Sequence, residues 1–175
     1  MADFTTHALL SYSQHPDASD QPQPTIWDIR EPSQYARYPS KPEHPLSDYD
    51  LSQPATNPPT STLHIVCEFF PGYWPIKIRR PNGVTVGDVL EEIHSTLIRR
   101  ISLSEWEALS EKQQGKITAV FEHRCDRAPD RAVCRSHGVI RMDCLLEHTW
   151  FAGLSVSFEM DTTCIMTLRR ERQKP

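Results

Sequence analysis

The chain has 175 residues, 38% of them hydrophobic, with 19 basic and 23 acidic side chains and a formal net charge of −4. That length buries a core without help from disulfides or metal, so one domain is expected. Divided near residue 62, the charge is −5 before and +1 after; a near-neutral domain lacks the basic footprint of phosphate-backbone binding, which sets nucleic acid aside as the expected partner.

Met1-Ala2-Asp3-Phe4 opens no basic-then-apolar leader, and no stretch approaches the roughly 20 apolar residues that cross a bilayer. No membrane association is expected. The cysteines are five, an odd number, and Cys67 and Cys164 sit in apolar runs where a thiol acts as a small core residue. Neither Asn57 nor Asn82 begins a glycosylation sequon. A soluble protein of a reducing compartment, cytoplasm or nucleus, is the expectation.

In chain order, residues 1–62 form a proline-rich arm holding ten of the fifteen prolines. Its scarcity of aliphatics predicts a largely disordered arm, with residues 1–24 and about 40–60 mobile or extended. Inside it lies an apolar island, Thr25-Ile26-Trp27-Asp28-Ile29-Arg30, followed by Tyr35 and Tyr38. It predicts a docking segment at about 25–38, with Trp27, Ile29 and Tyr35 as its contacts. Tethering makes the arm's own domain the favoured destination over another protein.

The domain, 63–170, begins at the strand-like run Leu63 to Phe70. A Pro71-Gly72 turn leads to Pro75-Ile76-Lys77-Ile78-Arg79-Arg80, whose period-2 alternation predicts a hairpin partner with one wet face. Thr85 is the predicted N-cap of a helix in which Val86, Val89, Leu90, Ile93 and Leu97 recur at helical spacing. Ser102-Leu103-Ser104-Glu105 has capping-box form and starts a short helix facing inward through Trp106 and Leu109. A third helix fits Lys112 to about Arg124, with Ile117, Val120 and Phe121 as its stripe. Asp126–His137 reads as a polar surface loop and Val139–Leu146 as a strand. Phe151–Leu154 reads as an apolar turn and Thr162–Leu168 as the closing strand, before a charged tail at 171–175. The order β-β-α-α-α-β-β predicts an α+β fold, a mainly antiparallel sheet covered by helices on one face.

Several landmarks in this order resemble a fungal, basidiomycete-type family, domain of unknown function 6699. They are Trp27-Asp28-Ile29-Arg30, Leu63 to Cys67, Val84 to Leu90, Ser104-Glu105-Trp106, and Gly138–Asp143 leading to Thr149–Leu154. The resemblance spans about residues 25–170 and implies that the Trp27 segment belongs with the domain. It implies no activity.

Residues able to carry chemistry are few. His123, Cys125, Cys134 and His137 are metal-ligand types within fifteen residues, but His-x-Cys on a helix points its two members to different faces, so a zinc site is not expected. Cys144 and His148 are the one close thiol–base pair, with Arg141 nearby, yet a strand start would turn Cys144 inward and leave no dyad. Glu91, Glu92 and His94 lie on the first helix, where a solvated face explains Glu91. Arg124, Arg127, Arg131, Arg135 and Arg141, with Lys77, Arg79 and Arg80, could face an anion, but interleaved Glu122, Asp126 and Asp130 predict ion pairing instead. Phosphate-loop, dinucleotide and zincin motifs are absent, and no cofactor is expected.

The reading that follows is a non-enzymatic interaction module, whose partner is another protein or peptide or its own arm, received on a surface around Trp74, Trp150 and Phe151. The rivals are a small enzyme or ligand-binding protein using Cys144, His148 and Arg141, and a zinc-stabilised nucleic-acid accessory domain.

Overall fold

The computed structural model describes residues 4–14, 23–71 and 74–171. The Pro71-Gly72 turn is therefore only half described, and most of the charged tail and of the first 24 residues' proline-rich centre lies outside the described residues. In chain order the elements are β1 (Thr5–Thr6), β2 (Arg37–Tyr38), β3 (Lys41–Pro45), α1 (Asp48–Leu51), β4 (Thr56–Asn57), β5 (Thr62–Val66) and β6 (Ile76–Arg79). They continue through α2 (Val86–Leu97), α3 (Leu103–Glu107), α4 (Glu111–Arg127), α5 (Arg131–His137), β7 (Trp150–Val156) and β8 (Thr163–Arg169). The fold is α+β.

Four strands form the main sheet in the order β6-β5-β8-β7. Its pairs are antiparallel except β5 with β8, where the helical crossover returns the chain parallel to its start. Period-2 alternation places Leu63, Ile65, Ile76 and Ile78 on the buried face and leaves Lys77 and Arg79 exposed. Val89, Leu90, Ile93 and Leu97 of α2 share one fully buried core with that face, joined by Phe151, Cys164, Met166 and Leu168. The start of α2 is set locally: Thr85 Oγ1 accepts from Asp88 N at 3.1 Å, and Asp88 Oδ2 accepts from Thr85 N at 3.0 Å. Ser102 with Glu105 and Ser110 with Gln113 repeat this reciprocal capping at α3 and α4.

Three local expectations are corrected. Asp126–His137 is not all loop: Asp130 caps α5, its carboxylate accepting from Val133 N at 3.0 Å, and Cys134 supplies a buried anchor. Val139–Leu146 is not a strand. Arg141–Leu145 is a 3-10 helix, because buried Asp143 accepts from Ile140 N at 3.0 Å and from Arg124, and pulls the backbone around itself. The strand before β8 comes later, at β7, where an apolar turn was expected. On α4, Ile117 and Cys125 are buried while Val120 and Phe121 are half-buried.

The arm contributes local structure of its own. β1 pairs with β4 and β2 with β3, each antiparallel. Extended backbone describes these pieces, but Asp48–Leu51 is a helical turn capped by Ser47 Oγ, which accepts from Asp50 N at 3.2 Å. Leu10, Leu46 and Ala55 join the main core, although only the Trp27 island stood out by composition.

Candidate functional site

Two stretches of the arm close the free edge of β7. Ile29 N donates to Thr149 O at 2.8 Å and Phe151 N to Trp27 O at 2.9 Å. Further along, Tyr12 N donates to Leu154 O at 2.9 Å and Leu154 N to Leu10 O at 2.6 Å. Between them Gly153 adopts φ +117°, and a Cβ there would sit 2.5 Å from Tyr12 backbone atoms, so only glycine admits this approach. Trp27 is 1% exposed, tilted against Phe151 with ring centroids 6.1 Å apart, and its indole N–H donates to Glu31 O at 3.0 Å. Ile29 is fully buried and its carbonyl lies 3.1 Å from His94 Nδ1 of α2. Ser33 Oγ donates to Glu91 at 2.7 Å, so Glu91 touches the arm rather than bulk water alone. Tyr35, in contrast, is 48% exposed.

The arm leaves a groove of about 400 Å³ against β7, walled by Ile26, Tyr35, Pro42 and Trp150, with Asp28, Glu31 and Arg37 as its charged members. Asp28 is held by Arg30 at 3.0 Å and Arg37 by Pro42 O at 3.1 Å, which leaves the apolar groups as the groove's main offering. The Trp150 indole nitrogen is buried and meets no acceptor among the described residues. A buried unpaired N–H is costly. Of the three aromatic residues expected to form one surface, Trp74 (5% exposed) and Phe151 (1%) are interior, because each packs in a hydrophobic cluster. Trp150 is the one that reaches a groove.

Trp74 centres a second cluster with Ile101, Leu109, Ile117 and Cys144. Its indole N–H donates to Glu105, and the Arg141 guanidinium lies 5.0 Å from its ring centroid and 3.6 Å from Glu105. Hydrogen bonds from Ser102, together with that indole and the Arg141 charge, hold the Glu105 carboxyl below its usual range despite the opposing effect of burial. Arg141 thus serves the cluster. Cys144 is 8% exposed, and burial pushes its thiol up to about 12, the reverse of nucleophile activation. His148 stacks on Phe69, ring centroids 4.2 Å apart. Cys144 and Arg141 therefore both belong to the Trp74 cluster, while His148 is engaged with Phe69.

The metal candidates also divide. His123 and His137 are exposed, whereas Cys125 and Cys134 are buried, and no group of three or more metal-ligand side chains converges among the described residues. Arg124, between those thiols and the 3-10 helix, donates to Asp143 through Nε and Nη2 at 2.8 Å each, to Gly138 O at 3.0 Å and to Cys134 Sγ at 3.0 Å. Hydrogen bonding to Asp143 raises the Arg124 pKa further. Sequence reasoning placed Arg124 in a basic cluster but missed Asp143, nineteen residues away. Arg131 pairs with Asp126 at 2.6 Å, and Arg135 pairs with Glu122.

Among the described residues, no helix is long and apolar enough to cross a membrane. A sequence profile described as "Family of unknown function (DUF6699)" matches residues 25–163, and the chain belongs to that family. No curated protein matches, and no solved structure matches.

Proposed function

From membership of a family without an assigned activity, we propose that this chain is a non-enzymatic protein-interaction module that takes an extended peptide segment of another protein into the Trp150 groove. The observation carrying this reading is the groove itself, with apolar walls from Ile26, Tyr35, Pro42 and Trp150. An extended peptide presents small apolar side chains for those walls. The docked arm makes the groove, so the arm is a structural part of the module. A fungal source and a cytoplasmic or nuclear location belong to the same proposal; they rest on the resemblance and on five free thiols.

The rival enzymatic reading draws no support from Cys144, whose thiol is buried and pushed up to about 12. The test of the module is peptide display on the full chain, counter-selected on Trp150→Ala and Tyr35→Ala. The expected result is a shared sequence motif that binds the wild-type chain with micromolar affinity and at least tenfold more weakly to both variants. Failure to enrich any motif, or binding to the two variants as tight as to the wild-type chain, overturns it.

A further inference from the structure

Cys125 of α4 and Cys134 of α5 face one another across the helix hairpin: the Cys125 thiol donates to Cys134 Sγ at 3.0 Å. The contact is held from several sides. Arg131–Asp126 and Arg135–Glu122 pair the two helices through their exposed faces, and Arg124 Nη1 sits 3.0 Å from the same Cys134 sulfur. Cys125 is 0% exposed and Cys134 9%, so small oxidants reach Cys134 first.

We propose that Cys125 and Cys134 form a reversible dithiol–disulfide pair that responds to hydrogen peroxide. The Cys134 sulfur gives up its proton as it attacks one peroxide oxygen; the O–O bond breaks, and the departing hydroxide takes that proton and leaves as water. The resulting sulfenic acid is met by Cys125, which loses its proton as its sulfur attacks the Cys134 sulfur. The S–S bond forms, the S–O bond breaks and a second water leaves. The two thiols are oxidised by two electrons and one peroxide is reduced. A dithiol reductant reverses the reaction by exchange. Oxidation joins α4 to α5 covalently and alters the sulfur against which Arg124 Nη1 rests, which ties the redox state to the residue holding Asp143. Cys67, Cys144 and Cys164 have no such partner sulfur among the described contacts; burial pushes their thiols up to about 11, 12 and 12 and that of Cys125 likewise to about 11, so the sulfur–sulfur contact is what sets the pair apart.

The experiment uses the full chain, reduced and then exposed to hydrogen peroxide under native conditions, followed by intact mass and non-reducing peptide mapping. The expected result is a mass loss of about 2 Da, one linked peptide pair containing Cys125 and Cys134, and full reversal by dithiothreitol. The melting temperature rises on oxidation, as expected for closing the short loop between the helices. Cys134→Ser abolishes the linked pair. The wild-type map decides the matter even if that variant fails to fold. A disulfide between other cysteines overturns the proposal. So do overoxidation of Cys134 with Cys125 still reduced, or no mass change while an exposed model thiol in the same tube is consumed.

Discussion

Asp143 is 1% exposed, and at such depth a carboxylate persists only if its oxygens are satisfied. Arg124 supplies two hydrogen bonds and the Ile140 amide a third. The partners are not equally buried: the Arg124 side chain is 30% exposed. Losing Asp143 lets Arg124 recover water, whereas losing Arg124 strands a buried charge. Arg124→Ala should therefore destabilise by about 3–5 kcal/mol and Asp143→Ala by distinctly less. Urea unfolding of both variants and of the double variant checks this; the double should cost less than the sum. Sequence alone marked Arg124 as one of several basic residues, and nothing in its spacing singled out Asp143, nineteen residues later, as its partner.

At the scale of elements, β7 is an edge strand that the arm covers. Leu10 and Tyr12 pair with Leu154, while Trp27 and Ile29 pair with Phe151 and Thr149. Unpaired edges template association with other chains. Removing the chain before residue 15 should free Leu154's backbone groups and expose the site of Leu10, so the truncated chain should self-associate at micromolar concentration where the full chain does not. Sedimentation velocity decides; an unchanged monomer distribution contradicts the edge-capping role. The capped starts of α2 and α3 were legible because Thr85–Asp88 and Ser102–Glu105 act within one turn, whereas the Ser110–Gln113 cap of α4, two residues before the expected start at Lys112, was not read. β7 was not legible, since its Gly153 signals a turn in sequence yet serves here as the place where another backbone approaches.

For the molecule as a whole, the core keeps thiols protonated. Burial raises Cys67 from the ordinary 9.0 to about 11, and Cys144 and Cys164 to about 12. The unfolded chain thus gives up these protons first as pH rises. The stability they confer is complete below about pH 9 and is lost progressively as pH rises through the folded values. The slope is about 1.4 kcal/mol per pH unit for each such thiol within that window. Urea midpoints measured from pH 8 to 11 should fall, and Cys164→Ala should flatten the fall. A flat profile in the wild type would contradict this account.

The α+β class, the β5–β6 hairpin, the inward stripe of α2 and the capped helix starts are consequences of short-range rules, alternation, helical spacing and one-turn hydrogen bonds. The sequence therefore determines them alone. The Trp27 island could be recognised for the same reason, as apolar area that water penalises. What meets it could not. That Trp27 rests on Phe151, that Leu10 shares the core, that Trp74 and Phe151 turn inward while Trp150 faces a groove, and that Cys125 finds Cys134 are outcomes of long-range packing. Each depends on which distant surface fills the remaining space at close-packed density, and no local pattern encodes that choice.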